Sequence, residues 1–228
     1  MRLRLFHPSV VAGLAAVVFY ERALRPWHER WGATDTEVAA RLPGDDLIDE
    51  PAFQVTRAIG IEVPPQQVWP WVIQLGADRG GFYSYDWLEN LFGLKIHSAD
   101  EIVPDWQERA AGDLMFADSE GTAGWYVMEA QPNQALVVKM ANTEAGRPFR
   151  RNEPPFMEFT WSFVLKEVDH ASRLIVRERV AFKNSLVRFL CAPVGLVSFV
   201  MSQRMMRGIK QRAESDRGFH RAQIDRAV

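Results

Sequence analysis

The spacing of apolar residues along this chain changes once, near residue 186, and this change restricts the possible folds more than any other feature. Before it, apolar and polar residues alternate over short segments, as in strands that bury one face. After it, apolar residues recur every three or four positions as far as Ile209, which predicts a long helix. Strands followed by one long terminal helix predict an α+β fold in which the sheet packs against that helix.

The alternating segments give the sheet its predicted strands. The first extends from Phe53 to Val63, where a proline pair stops it, and a helix is expected from Pro65 to Gln74. A second short helix is expected from Asp86 to Phe92, because Gly93 follows it. Five further strands are predicted at Asp113–Ala117, Trp125–Ala130, Ala135–Met140, Met157–Glu167 and Arg173–Phe182.

The first 20 residues form a short hydrophobic segment. Arg2 and Arg4 precede an uncharged run from Val10 to Tyr20, which is about half of the ~20 residues that a membrane-spanning helix needs. We interpret residues 1–20 either as a short anchor or interfacial helix that holds the chain at a membrane, or as a helix packed on the domain. In the first interpretation the main domain is expected on the cytoplasmic side.

The rest of the chain divides into three parts. Residues 21–52 are predicted to be a connector, in which Thr34 and Glu37 have the spacing of a capping box before a short helix over residues 38–42. Residues 53–214 are predicted to form the ligand-binding domain, and residues 215–228 a frayed polar tail. The long helix is expected over residues 186–213, with a kink at Pro193.

Charge and composition exclude several functions. The formal net charge of -2 provides no basic field to attract nucleic acid. The single cysteine, Cys191, excludes an intrachain disulfide. The five histidines show no metal-ligand spacing, so neither a metal nor a cofactor is expected. The oligomeric state is left open.

Three segments resemble those of a known superfamily. They are the strand-to-helix joint IGIEVPPQQVW at residues 59–69, the strand FTWSFVL at 159–165 and the end of the last helix, FVMSQRMMRGIK, at 199–210. Over residues 53–213 the sequence resembles the SRPBCC superfamily, which includes START lipid-transfer domains, birch-pollen-allergen-like proteins and polyketide cyclase/dehydrase-like proteins. The resemblance implies a helix-grip fold: a curved antiparallel sheet of six or seven strands around a long C-terminal helix, here with an N-terminal helical extension. It also implies an internal cavity for a hydrophobic ligand, and it transfers no catalytic residue.

The aromatic stretch from Gly80 to Gln107 is the expected wall of that cavity. Aromatic residues crowd there between carboxylates and one histidine, a composition that suits an apolar ligand with a few polar anchors. The alternative is core packing with a solvated rim. The candidate ligand-binding residues in the whole chain are Tyr83, Tyr85, Trp87, His97, Tyr126, Trp161, Met201, Arg57 and Glu178.

Arg57 and Glu178 each interrupt the apolar face of a predicted strand. The first and last strands of a helix-grip sheet are antiparallel neighbours, so the two side chains are predicted to pair, because an unpaired buried charge costs several kcal/mol. The pair is interpreted either as a structural bridge or as a group in the cavity that holds the polar head of a ligand.

Two further acid-containing pairs are considered for chemistry. His97 and Asp100, three positions apart, are weak candidates for a catalytic histidine–carboxylate pair, as is Glu178 with His97; the alternative is a hydrogen-bonded pair at a loop end. Asp86 and Glu89 are interpreted either as groups that orient a polar ligand head or as a helix cap with a favourable dipole charge.

These observations favour a non-enzymatic, membrane-associated protein that binds or carries a hydrophobic small molecule or lipid. One alternative is an enzyme of cyclase, dehydratase or hydrolase type that acts on an apolar substrate in the same cavity. The other is a structural accessory whose own side chains fill the cavity.

Overall fold

The computed structural model describes residues 12, 15, 18–91, 93–150, 152–183 and 194–224, and within the last range the side chains of residues 195–215. The helices in this part of the chain are α1 (Arg25–Glu29), α2 (Asp35–Ala39), α3 (Pro65–Ile73), α4 (Asp86–Leu91) and α5 (Val194–Ile224). A π-helical turn, Tyr20–Leu24, precedes α1, and short 3-10 turns lie at Asp45–Leu47 and Pro104–Trp106. The strands are β1 (Phe53–Ile61), β2 (Leu114–Phe116), β3 (Gly124–Gln131), β4 (Ala135–Asn142), β5 (Arg147–Pro148), β6 (Met157–Val168) and β7 (Ala171–Phe182).

The described strands form one antiparallel sheet in the order β1-β7-β6-β4-β3-β2, with β5 paired to β4. The last two predicted strands form a hairpin, β6 and β7, and its two turn residues, Asp169 and His170, both have positive φ. That conformation matches the right-handed twist of the flanking strands. The hairpin also brings β7 back beside β1, because β7 pairs with β6 on one side and with β1 on the other.

The long helix α5 closes one face of the sheet. Its buried residues Met205, Met206 and Ile209 share a hydrophobic core with Phe163 of β6 and Val176 of β7. At Gly208 the helix approaches so closely that a Cβ atom would lie 2.3 Å from the backbone oxygen of Tyr83. The predicted helix-grip fold, a sheet around a C-terminal helix with an N-terminal helical segment, is confirmed.

The connector covers the other face of the sheet. Leu42 belongs to a second buried cluster with residues of four strands, among them Ala58 and Ile175. The Arg177 guanidinium, which is almost fully buried, donates hydrogen bonds to the carbonyl oxygens of Glu37, Val38 and Ala40 and to the carboxylate of Asp45. With apolar contacts on both faces, the central strands are buried on both sides.

Local structure differs from the sequence-based expectations in three places. The capping box of Thr34 and Glu37 is present, but the helix it starts is Asp35–Ala39, because an N-cap residue lies directly before the first helical residue. A short strand, β5, occurs between the predicted strands Ala135–Met140 and Met157–Glu167, where no strand was predicted. Helix α5 continues to Ile224, beyond the expected frayed end.

Three predictions concern residues outside the described part of the chain. The kink at Pro193 and the helix start near residue 186 are among them, as is most of the hydrophobic segment at residues 1–20. Within the described residues, none of the helices has the length and apolar character needed to cross a bilayer.

Candidate functional site

A cavity of about 520 Å³ lies between the inner face of the sheet, α5 and the N-terminal helical segment. This volume lies in the range of ~300–1,000 Å³ that is usual for small-molecule sites. Strands β1, β6 and β7 contribute alternate residues, because in a strand every second side chain points to the same face. The apolar lining is formed by Phe53, Val55, Phe82, Leu94, Ile96, Ala117, Trp125, Met157, Phe159, Trp161, Val180, Phe182, Met201 and Met205.

Aromatic rings pack against one another along one wall. The ring centroid of Trp161 lies 5.5 Å from that of Trp125 and 6.3 Å from that of Phe82. Within the described part of the chain, the indole nitrogens of Trp125 and Trp161 are buried without a hydrogen-bond partner. Buried polar atoms normally have partners, so two unpaired donors beside one cavity are unusual.

The predicted pair of Arg57 and Glu178 is present and lines the cavity. Arg57 Nη1 donates to Glu178 Oε1 at 2.8 Å, and the side chains are 1% and 8% exposed. Glu178 is directly opposite Val55 in the sheet, so Arg57 reaches it diagonally across two neighbouring strands. Helix α5 completes the cluster, because the hydroxyls of Ser198 and Ser202 donate to the Glu178 carboxylate at 2.7 and 2.8 Å.

His28, which was not among the residues predicted from the sequence, lies beside this charge pair. Its carbonyl oxygen accepts a hydrogen bond from Arg57 Nε at 3.0 Å, and its ring packs 5.6 Å from that of Phe199. Its Nε2 atom lies 3.2 Å from the hydroxyl oxygen of Tyr20, while Nδ1 is buried without a partner among the described residues. Burial lowers the pKa of His28, so the ring is neutral at pH 7.

Glu89, interpreted from the sequence either as a group that orients a polar ligand head or as part of a helix cap, is a cavity residue. It lies on α4, is 4% exposed and lines the cavity together with Ile96. Its side chain has no hydrogen-bond partner in the part of the chain that the structure describes, and Oε2 is fully buried. Burial, with a smaller contribution from the nearby Asp86 carboxylate, raises the pKa of Glu89 to about 7. A carboxyl group in such a position is a functional-site candidate.

Asp86 does not cap α4 as expected. It is the first helical residue, and its carboxylate accepts hydrogen bonds from the backbone N–H and the hydroxyl of Ser98 at 2.8 and 2.6 Å. The carboxylate therefore fixes the loop after α4. The side-chain amide of Asn90 also fixes this loop, because it forms two hydrogen bonds with the backbone of Ile96.

Most of the predicted aromatic wall lies elsewhere. Tyr83, Tyr85, Trp87 and His97 line a separate surface groove beside α5, which also contains three arginines of that helix. Tyr83 is a core residue, 1% exposed, whose hydroxyl accepts a hydrogen bond from Gln74 Nε2 at 2.8 Å. Trp87 is 67% exposed. Tyr126 lines neither the cavity nor this groove.

The cavity contains Arg57, Trp161, Glu178 and Met201 of the predicted ligand-binding residues. His97 and Asp100, the candidate catalytic pair, have different partners in the structure. The side chain of His97 is 92% exposed with Nδ1 3.6 Å from Asp86 Oδ2, whereas Asp100 accepts a hydrogen bond from Arg212 at 2.7 Å. The segment between them is not helical, so the three-residue spacing does not bring the side chains together. The alternative pairing of His97 with Glu178 is not formed either, because Glu178 lines the cavity and His97 lies outside it.

No group of three or more histidine, cysteine, aspartate or glutamate side chains in the described residues is arranged to hold a metal ion.

Comparison with known proteins gives neighbours of low similarity. No family model matches the sequence, and no curated protein matches it. Among solved structures, protein MLL2253 from Mesorhizobium loti is 14% identical, with 72% of this chain and 98% of that chain covered and a TM-score of 0.42. Ara h 8.0201 is 12% identical over 72% and 98% of the two chains, with a TM-score of 0.40. CalU16 from Micromonospora echinospora is 15% identical over 71% and 84%, with a TM-score of 0.32.

The chain's own topology and cavity define its class. An antiparallel sheet, a long C-terminal helix and an apolar cavity between them make it a helix-grip protein with an internal pocket. The helix-grip fold that the sequence resemblance implied is thus confirmed. What the cavity does has to be argued from its own residues.

Proposed function

We propose that this protein binds or carries a hydrophobic small molecule or lipid in the cavity between sheet and helix. The observation that supports the proposal is a lining of aromatic and methionine side chains around about 520 Å³, with polar groups confined to a few positions. This is the usual composition of a small-molecule site, in which apolar walls supply affinity and a few polar groups fix orientation. Met157, Met201 and Met205 add side chains that adapt to irregular ligands.

The proposal is tested with N-phenyl-1-naphthylamine, a neutral probe that becomes fluorescent in apolar sites. We expect saturable binding with energy transfer from tryptophan, because Trp125 and Trp161 line the cavity. Val55→Trp fills part of the cavity and should weaken binding strongly. Gln54→Trp places the same side chain one position away on the exposed side of β1 and should not. Failure of the unmodified protein to bind this probe or a graded set of fatty acids and sterols would contradict the proposal.

Membrane association is the second part of the proposal. Exposed apolar side chains occur on both helical segments beside the cavity, which are joined by a contact between the rings of Trp27 and Phe199, 5.2 Å apart. Tyr20 of the first segment and Gly195 of α5 both line the cavity. The exposed residues are Val18, Phe19, Leu24, Trp27, Leu196, Val197 and Val200. A clustered apolar surface of this kind suits the interface of a bilayer, from which a lipophilic ligand would enter.

Vesicle flotation with phosphatidylcholine and phosphatidylglycerol tests the membrane part. The full chain should float with the vesicles, and replacing Trp27 and Val197 by serine should release it. Leu91→Ser, which removes a leucine that is 73% exposed on α4, is the matched control and should float normally. A full chain that stays at the bottom of the gradient would rule this part out. The cytoplasmic orientation of the domain remains a prediction.

The enzymatic alternative is weakened at the positions named for it. His97 and Asp100 lie outside the cavity, and the Glu178 carboxylate is held by an arginine and two serine hydroxyls. A general acid or base must reach the substrate and exchange a proton with it. Within the described lining, Glu89 is the carboxyl group without such partners, and it bears on the choice of ligand.

A further inference from the structure

The charged side chains of the cavity differ in whether they have a counter-ion. Arg57 is paired with Glu178, and Arg25 at the cavity edge pairs with both Glu21 and Glu29 at 2.8 Å. Both arginines of the described lining therefore already have counter-ions. Glu89 has none, and its side chain accepts no hydrogen bond from the described residues.

The sign of the excess charge is consequently negative. The described lining contains four glutamates and two arginines, and His28 is kept neutral by burial. A ligand with a carboxylate, such as a fatty acid anion, would find no free cation there and would be repelled by Glu89. A cationic group would instead find a carboxylate without a partner, in surroundings of low polarity where charge pairing is strong.

The aromatic wall of the cavity also favours a cationic ligand. The rings of Phe82, Trp125, Phe159 and Trp161 line the cavity that Glu89 also lines. The faces of aromatic rings carry negative charge density, and they attract ammonium groups, tryptophan most strongly. For an anion the described lining provides the unpaired indole N–H groups of Trp125 and Trp161, but no cation that is free of a counter-ion.

We infer that the ligand of this cavity is an apolar amine, with Glu89 as the counter-charge of its ammonium group. The inference rests on the proposed function and narrows it, because it assigns the polar end of the ligand. The rest of the molecule contacts the aromatic and methionine walls. The pair of Arg57 and Glu178, already closed by Ser198 and Ser202, contributes a neutral polar surface.

The test uses three ligands that differ in one group: naphthalene-1-methylamine, 1-naphthalenemethanol and 1-naphthoic acid. Calorimetric titration is done at pH 8, where Glu89 with its pKa of about 7 is ionised and the primary amine of the probe is protonated. The amine should bind about tenfold or more tightly than the alcohol, because only the ammonium group donates a charge-assisted hydrogen bond to the Glu89 carboxylate. The carboxylate should bind most weakly.

Glu89→Gln should reduce the affinity for the amine to that for the alcohol, while the affinity for the alcohol changes less than about threefold. Glu89→Asp keeps the charge and should keep a preference for the amine. Glu144→Gln, on an exposed loop, is the matched control and should behave like the unmodified protein. Melting curves verify that each variant is folded.

Two outcomes separate the inference from the proposed function. If N-phenyl-1-naphthylamine binds but the carboxylate is preferred, or the amine preference survives Glu89→Gln, the inference is wrong and the hydrophobic site stands. The same holds if none of the three naphthalenes binds. If N-phenyl-1-naphthylamine and the lipids do not bind either, the proposed function itself fails.

Discussion

The buried pair of Arg57 and Glu178 offers the sharpest test of the structural argument. Removing one partner of a buried ion pair typically costs about 3–5 kcal/mol, because the other charge stays buried without compensation. The two single variants differ in the hydrogen bonds that the remaining charged side chain keeps. After Arg57→Met, Glu178 keeps the hydroxyl donors of Ser198 and Ser202 at 2.7 and 2.8 Å. After Glu178→Leu, Arg57 keeps the carbonyl oxygen of His28 at 3.0 Å and a long contact of 3.5 Å to Ser198.

The expected costs follow from that difference. Arg57→Met should lower the free energy of unfolding by about 3 kcal/mol, and Glu178→Leu by about 5 kcal/mol, since a buried cation is left with poorer partners. The double variant leaves no buried charge and two apolar side chains of similar size. It should cost less than either single change, about 2 kcal/mol or less, mainly through the serine hydroxyls that lose their acceptor.

Urea unfolding followed by circular dichroism measures the cycle. The control is the surface pair of Lys95 and Glu120, whose N–O distance is also 2.8 Å but whose side chains are 67% and 64% exposed. The same apolar replacements there should hardly move the unfolding midpoint, because exposed ion pairs are screened by solvent. If the costs of Arg57→Met and Glu178→Leu simply add in the double variant, the two side chains do not depend on each other and the reasoning is refuted.

Two other predictions concern the cavity acid and the closest helix contact. Burial raises the pKa of Glu89 from 4.5 to about 7, so the folded state keeps a proton that the unfolded state releases; stability should fall by about 1–3 kcal/mol between about pH 4.5 and 7. Glu89→Gln should remove this fall in urea titrations at pH 5 and 8, and an unchanged pH dependence would contradict the assignment. Gly208→Ala should lower the melting temperature strongly, because its Cβ would lie 2.3 Å from the Tyr83 oxygen. The Cβ atom of Gly195→Ala would have no atom of the described residues within 4 Å, so this change should raise the melting temperature slightly; equal effects of the two changes would show that the helix does not lie as described.

The sheet and the helix could be predicted because periodicity is a local property of the sequence. Alternation places Arg57 and Glu178 on the apolar face of their strands, and strand order then makes β1 and β7 neighbours. The pairing needs no further information, since a buried charge requires a partner. Trp161 and Met201 were found for the same reason, as both lie on elements with a regular period.

The loop around α4 could not be predicted in this way. Its residues follow no period, and Tyr83 has a φ of 55°, so the direction of each side chain depends on contacts with distant elements. The close approach of Gly208 holds Tyr83 in the core, and Asp86 is turned toward Ser98. Glu89 is thereby the acid of this segment that lines the cavity. His28 was missed because nothing in the connector distinguishes a buried histidine from an exposed one.

The size and lining of the cavity bear on whether it serves a ligand or is only imperfect packing. At about 24 cal/mol per Å³, an enclosed dry cavity of 520 Å³ would cost on the order of 10 kcal/mol, as much as the whole stability of a typical domain, and an opening to solvent lowers this cost by admitting water. Water relieves this cost only where it finds two to four polar partners, and most of the described lining is aromatic or aliphatic. A structural accessory would have gained stability by filling the space with larger side chains at positions such as Val55 and Ala117. An apolar molecule that covers the walls and places one polar group at Glu89 would remove both the cost of the empty volume and the cost of leaving Glu89 without a partner.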